Sequence, residues 1–166
     1  MALTTERLRQ VLTYAPETGL FYWRVSNSNR IQIGSIAGTM NAYRYRVIGI
    51  DGIRYHATHL ATLWMTGEWP EEVDHKDNDP GNDRWDNLRP CSHAQNMKNM
   101  SKHADNSSGH KGVYTSTKGR TWFAQIMSDG KQKYLGSFGT KEQAMSAYNE
   151  AARLHHGDFA RLNEVA

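Results

Sequence analysis

The 166 residues carry 38% hydrophobic and 22% charged side chains at a mean hydropathy of -0.75, and no apolar run reaches the roughly 20 residues that a membrane span needs. One cysteine, Cys91, excludes an internal disulfide and any site built from several cysteines, while five Trp, eight Tyr and four Phe argue against disorder. The formal net charge of +3 is unevenly spread, with seven basic against four acidic residues over 1–70, three against seven over 71–89, and ten against six over 90–166.

Thr4 to Tyr14 reads as a short helix, because Leu8, Val11 and Leu12 recur at helical spacing behind a threonine cap. Pro16-Glu17-Thr18-Gly19 is a turn and Leu20 to Val25 a strand. Residues 26–42 read as loop or irregular strand. Tyr43 to Ile50, Asp51-Gly52 and Ile53 to His56 form a hairpin pattern, since Asp-Gly supplies the positive φ of a tight turn. Ala57 to Met65 is helical and ends at Gly67. Val73 to His75 is a short strand, Lys76 to Asp83 a loop rich in Asp, Asn, Pro and Gly, and Trp85 to Arg89 a returning strand. Ser92, with Gln95 three residues on, opens a helix that runs to about His103. Residues 104–110 are small and polar and read as a linker. Strands follow at Gly112–Thr115, Thr121–Met127 and Gln132–Ser137, with Asp129-Gly130 turning between the last two. Thr140 to His156 is an amphipathic helix.

The charge pattern sets an acidic island between basic flanks. Basic flanks suit a polyanion such as nucleic acid, and an acidic island suits a divalent cation. A solvated acidic loop is the plain alternative. The N-terminus MALTTERLRQ lacks the basic-then-apolar pattern of a secretory signal, so a cytoplasmic location is the expectation.

The densest chemistry is Asp74-His75 with Asn87 and Asn96 downstream. Phosphodiester hydrolysis needs a base to activate water and a cation to stabilise charge on the phosphate and the departing oxygen. Histidine fits the first role, and a carboxylate with an amide oxygen fits the second for a hard cation such as Mg²⁺. Neighbouring strand residues point to opposite sides, so Asp74 and His75 can divide these roles only where the strand bends or ends. An EF-hand fails: counted from Asp77, the sixth position is Asn82 and the twelfth Leu88. Another calcium loop, or an ordinary turn, stays open on the residues alone.

Val73-Asp74-His75-Lys76-Asp77-Asn78, Asn82, Asp86-Asn87-Leu88-Arg89 and Gln95-Asn96-Met97-Lys98-Asn99 resemble the ββα-metal finger of HNH endonucleases. Upstream, Tyr55-His56-Ala57-Thr58-His59-Leu60-Ala61, Gly67-Glu68-Trp69-Pro70 and Glu17 to Arg24 resemble phage-type members, so the likeness covers about residues 4–103. It implies that His75 is the general base, that Asp74 binds metal, and that Asn87 organises the finger and orients the base. The second metal ligand, often histidine, falls at Asn96, as in the homing-endonuclease branch. An amide oxygen is harder than imidazole, which favours one Mg²⁺ or Mn²⁺ over softer metals. The remaining histidines carry less weight: His59 reads as structural, His93 and His103 flank the finger helix, and His155-His156 close the last helix. Cys91 reads as inert packing.

Residues 109–163 interleave aromatic and basic side chains on three short strands. Lys111-Gly112-Val113-Tyr114, Trp122-Phe123-Ala124-Gln125-Ile126, Leu135-Gly136-Ser137-Phe138 and Ala147-Tyr148-Asn149-Glu150-Ala151-Ala152 resemble the plant ethylene-response-factor (APETALA-type) DNA-binding domain. That likeness implies three antiparallel strands on one helix, with the sheet in the major groove. It makes Lys111, Tyr114, Arg120 and Trp122 candidate DNA contacts, and Lys133 joins them from the basic-aromatic pattern. The plant motif has arginine at the positions of Lys111 and Tyr114, so guanine readout is weakened.

The expectation is an α+β protein with an HNH nuclease over 1–103, its finger at about 73–103, a linker at 104–110 and a DNA-binding domain over 111–166. Double-stranded DNA is the expected partner, with no membrane contact and a monomeric or weakly dimeric state. The likeness points to a phage-encoded or mobile-element homing endonuclease in the bacterial cytoplasm. The rival is a non-catalytic DNA-binding regulator with a structural finger. RNA cleavage is disfavoured, because a sheet fitted to the B-form major groove does not fit the deep, narrow RNA one.

Overall fold

A computed structural model describes residues 3–26, 31–99, 106–116 and 120–164. Helix α1 (Thr5–Val11) is capped by Thr4, whose Oγ1 accepts from the Arg7 N–H at 3.2 Å. The expected helix to Tyr14 stops at Val11. Strand β1 (Leu12–Ala15) takes over and pairs antiparallel with β2 (Leu20–Trp23), setting Leu12 opposite Trp23 and Tyr14 opposite Phe21. The alternation decides this: an extended chain buries Leu12 and Tyr14 and exposes Thr13, which a helix could not do. The Tyr14 and Phe21 rings then stack at 4.7 Å.

The stretch expected to be irregular holds β3 (Thr39–Met40), and Ile36 bridges to Tyr22; residues 27–30 lie outside the described ones. Strands β3, β4 (Arg46–Ile50) and β5 (Ile53–His56) form one antiparallel sheet. Residues 43–45, expected in the strand, turn instead around Asn41, whose Oδ1 accepts from the N–H groups of Tyr43 and Tyr45 at 2.9 and 3.0 Å. Asp51 and Gly52, at φ +51° and +82°, close the hairpin. Helix α2 (Ala57–Thr66) follows, and the Gly67 N–H closes it on the Leu63 carbonyl at 3.0 Å. Leu8, Phe21, Ile48 and Leu60 are fully buried among these elements.

Strands β6 (Glu72–His75) and β7 (Leu88–Cys91) pair antiparallel. Trp85–Asn87 is one tight helical turn rather than strand. Helix α3 (His93–Asn99) is described to Asn99; the expected continuation to His103 lies outside the described residues.

The second part holds β8 (Val113–Thr115), β9 (Trp122–Ser128) and β10 (Lys131–Phe138), a three-stranded antiparallel sheet with β9 central. Helix α4 (Lys141–His156) opens with a capping box between Thr140 and Gln143 and packs on all three strands. Its Ala144, Met145, Tyr148 and Ala152 meet Val113, Ala124 and Ile126. The chain divides into two compact units, 1–93 and 94–166, so the division falls at the start of α3. Of the stretch read as a linker, residues 106–110 are described, and they form a turn. The Ser108 hydroxyl donates to the Val113 carbonyl at 2.6 Å, and Asn106 Nδ2 to that of His110 at 2.9 Å. No described helix is long and apolar enough to cross a membrane.

Candidate active site

Asp74 and His75 are the last two residues of β6, and both are buried, at 7% and 6% exposure. The strand ends there, and the two side chains meet different partners. Register sets Asp74 opposite Arg89 on β7. The Arg89 guanidinium donates to Asp74 Oδ2 through two nitrogens, at 2.7 and 2.6 Å. This charged pair is nearly dry, and such a pair survives burial only with close hydrogen-bonded geometry.

His75 meets a second buried carboxylate. Its Nε2 lies 3.0 Å from Asp83 Oδ1, and Asp83 is 3% exposed. The Tyr45 ring stands 6.1 Å from the imidazole. Asp83 is itself fixed through its backbone. The Tyr14 hydroxyl donates to the Asp83 carbonyl at 2.7 Å, and burial pushes the Tyr14 phenol well above its ordinary range. Trp85 N–H donates to the Pro16 carbonyl at 3.0 Å. Gly19 lies so close that a Cβ there would stand 2.5 Å from Arg84 N and 2.6 Å from Asp83 O. The β1–β2 turn is therefore the bed on which the Asp83 loop rests.

Asn87, buried at 8% exposure, ties the intervening loop together. Its Nδ2 donates to Asp77 Oδ1 and to the Asn82 carbonyl, both at 2.9 Å, and its Oδ1 accepts from Asp77 N–H at 3.1 Å. Its own carbonyl accepts from Lys76 N–H at 2.9 Å. Asp77 Oδ2 accepts from Asn82 Nδ2 at 2.7 Å. Partial burial opposes ionisation of Asp77. Hydrogen bonds from Asp79 N–H, Asn82 and Asn87 outweigh it and hold the carboxyl below its ordinary value. The turn-like sequence is thus a closed knot of amides and carboxylate. Asn87 contacts this loop, and the His75 ring meets the Asp83 carboxylate.

Asn96 lies half-buried on α3, in the second unit. Among the described residues no group of three or more His, Cys, Asp or Glu side chains forms a metal cage. His56 and His59 have ring centroids 6.1 Å apart, and burial first, then the neighbouring His56, lowers the His59 pKa. His93 Nδ1 pairs with Glu72 Oε1 at 2.6 Å, and His103 lies outside the described residues. The Cys91 thiol is pushed up to about 11 by burial and by Asp74 and Glu72, which leaves it inert at neutral pH.

The five expected DNA contacts fall in different surroundings. Lys111 is half-buried, and its Nζ donates to the Lys98 carbonyl at 2.7 Å, so its ammonium is committed inside the protein. Burial, then Arg161, pulls its pKa down to about 8. Trp122 packs against the second core, on the side of Ala124 and Ile126 that faces α4. Lys133 sits opposite Ile126, on that same side, with Nζ 3.3 Å from Ser128 Oγ and 3.8 Å from Asp129 Oδ2. Arg120 is exposed just before β9. Tyr114 alone among the five stands on the face away from α4, stacked on Phe123 at 5.2 Å. That face also carries Gln125, Met127, Gln132 and Tyr134, with Met127 and Tyr134 exposed and Gln132 donating to Gln125. Strand alternation was plain from the sequence, but which side α4 covers depends on where its alanines pack.

Arg89 and Asp83 are the neighbours that sequence reading missed. A register count across the hairpin would have placed a positive residue opposite Asp74. Asp83 gave no local signal, because its role arises from a loop folding back over eight residues.

An acid and a histidine thus stand at the end of one strand of a β-hairpin, with an asparagine locking the loop between. Residues 55–98 match the family model described as HNH endonuclease. Protein 3.8 of Escherichia phage T7 is 36% identical over 90 residues, which are 54% of this chain and 74% of that protein. The chain belongs to the family of that phage protein and carries an HNH endonuclease domain. A solved structure titled "DNA binding and cleavage by the HNH homing endonuclease I-HmuI" is 17% identical, with a TM-score of 0.43 over 88% of this chain and 85% of that one.

Proposed function

We propose that the chain is a divalent-metal-dependent endonuclease that hydrolyses a phosphodiester bond of double-stranded DNA. The observation that carries this reading is the pair of buried, separately partnered side chains at the end of β6, Asp74 on Arg89 and His75 on Asp83. A histidine held this way is a general base: it accepts a proton from water while the water oxygen bonds to phosphorus. The bond to the 3′ oxygen then breaks, and that oxygen takes a proton from solvent. By the likeness to HNH endonucleases, Asp74 and Asn96 are the residues that would hold the cation, and both side chains offer oxygen. Two protein oxygens, with water completing the shell, match the way Mg²⁺ is held, and Mn²⁺ accepts the same donors. Bound there, the cation supplies charge stabilisation at the phosphate and the leaving oxygen. Asn87 keeps the Asp77–Asn82 loop closed beneath the base.

The second unit, with its likeness to the ethylene-response-factor domain, supplies targeting, and tethering raises the local concentration of DNA at the nuclease. The face that suits a groove is the exposed one of Tyr114, Gln125, Gln132 and Tyr134, with Arg120 at its margin. Glutamine amides pair with adenine edges in the major groove. One site per chain cuts one strand per encounter, so nicking by a monomer or weak dimer is the expected outcome.

The test is cleavage of supercoiled plasmid carrying neighbouring phage or host DNA, in Mg²⁺, Mn²⁺ or EDTA, by wild type and His75→Ala. Metal-dependent relaxed circles that vanish in the variant support the proposal. Binding without cutting in every metal overturns it and leaves the regulator. Cutting that survives His75→Ala overturns the choice of base.

A further inference from the structure

Among the described residues of the first unit two acids, Asp74 and Asp83, stand buried, and Asp74 alone has a task in the proposed reaction. Asp83 is the more deeply buried of the two, at 3% exposure, and its side chain meets the imidazole of His75 at 3.0 Å. Three independent features hold it there. The Tyr14 hydroxyl bonds its carbonyl at 2.7 Å, Gly19 leaves room for its backbone, and the Pro16 carbonyl anchors Trp85 two residues on. An ion pair on the surface would not need such a bed.

We infer that Asp83 is the positioning residue of the nuclease, an acceptor that fixes both the angle of the His75 ring and the nitrogen that carries its proton. The inference rests on His75 being the base. A carboxylate oxygen only accepts, so the ring nitrogen facing it must be the N–H. With Nε2–H committed to Asp83, the neutral ring carries its lone pair on Nδ1. After the transfer the imidazolium has both nitrogens protonated, and the same carboxylate opposes its new charge at 3.0 Å. Asn87 has a different task, since its amide bonds Asp77 and the Asn82 carbonyl.

Asp83→Asn separates geometry from tautomer control, because the amide is isosteric but can present either a donor or an acceptor. In the full-length protein, single-turnover nicking should fall roughly a hundredfold or more, with unchanged DNA affinity and little change in melting temperature. Nitrogen-15 spectra of the imidazoles, with His75 assigned by its loss in His75→Gln, should show Nε2–H in wild type and a mixture in the variant. Asp83→Glu, which keeps the acceptor, should recover part of the rate. Wild-type cutting by Asp83→Asn, or an Nδ1–H imidazole at His75 in wild type, would overturn the inference. If the variant folds poorly, the wild-type spectrum still decides. Cutting that survives His75→Ala would sink the reading of the base; wild-type cutting by Asp83→Asn beside a dead His75→Ala would sink Asp83 alone.

Discussion

Gly19→Ala tests whether the first hairpin supports the Asp83 loop. At φ +74°, any side chain meets the left-handed penalty of roughly 1–2 kcal/mol. The new Cβ would also stand 2.5 Å from Arg84 N and 2.6 Å from Asp83 O, both backbone atoms that cannot swing aside. Relief requires the 83–85 backbone to retreat, which strains the Tyr14–Asp83 and Trp85–Pro16 hydrogen bonds, at about 1 kcal/mol each. The total is then about 3–4 kcal/mol. Gly52→Ala is the control, because Gly52 has φ +82° but open space around it, so only the left-handed penalty of roughly 1–2 kcal/mol applies. The difference of about 2 kcal/mol corresponds to roughly 8–16 °C in the melting temperature of a domain near 90 residues. Circular dichroism melts of both variants give the comparison, and plasmid nicking below the transition should be impaired only in Gly19→Ala. Melting temperatures within about 2 °C of each other would refute the claim that the Asp83 loop is seated on the hairpin.

Asn87→Ala removes three hydrogen bonds and opens the Asp77–Asn82 knot, so stability should fall by about 2–4 kcal/mol in urea titrations, and nicking with it. Arg89→Met leaves Asp74 buried without its cation; in EDTA it should destabilise by about 3 kcal/mol or more, and added Mg²⁺ should restore more stability to it than to wild type. Tyr134→Ala and Gln132→Ala should weaken DNA binding in gel shifts without lowering the melting temperature, whereas Trp122→Ala should lower the melting temperature. Lys111→Met should bind DNA as wild type does. Its pH signature is specific: the folded amine titrates near about 8 against an unfolded value of 10.5, so between these values the unfolded chain holds more protons and stability rises with pH. Urea melts from pH 7 to 10.5 should show that rise flattened in the variant.

What the sequence disclosed follows from the range of each interaction. Asp51-Gly52 dictates its hairpin through two residues, and Gly67 ends α2 as expected, because turns and caps are local. Leu12 to Ala15 misled because Leu8, Val11 and Leu12 satisfy a helical spacing, and only pairing with Leu20–Trp23 reveals that the chain has become a strand. The same holds at the site. Asp74, His75 and Asn87 were visible as residue types in a spaced pattern, and the geometry brings them to one hairpin. Arg89 and Asp83 define the electrostatics, and both reach their partners through pairing or loop closure that no local pattern encodes. In the second unit the alternation of Trp122 and Phe123 was plain. Its orientation was decided by the small residues of α4, Ala144, Ala151 and Ala152, which let β9 approach.

The acidic island between 71 and 89 admitted two readings, a solvated loop or a built site. A solvated loop leaves its carboxylates in water. Here Asp77 binds the Asn82 and Asn87 amides, Asp79 takes the Arg44 guanidinium at 3.1 Å, and Glu72 holds His93. These contacts are exposed or partly so, and each contributes little. Asp74 and Asp83 differ in kind. Removing an ionised carboxylate from water costs far more than a surface pair returns, so a chain selected only for folding has no cause to bury two. Replacing either with a matched apolar residue would serve stability as well or better. Two buried acids, Asp74 paired with Arg89 and Asp83 with the histidine that follows Asp74, therefore argue that the island is kept for chemistry. Stability measurements on Asp74→Leu/Arg89→Met carry the point: a double variant as stable as wild type, yet without nicking activity, is the expected result, and a strongly destabilised one would return the pair to a purely structural role.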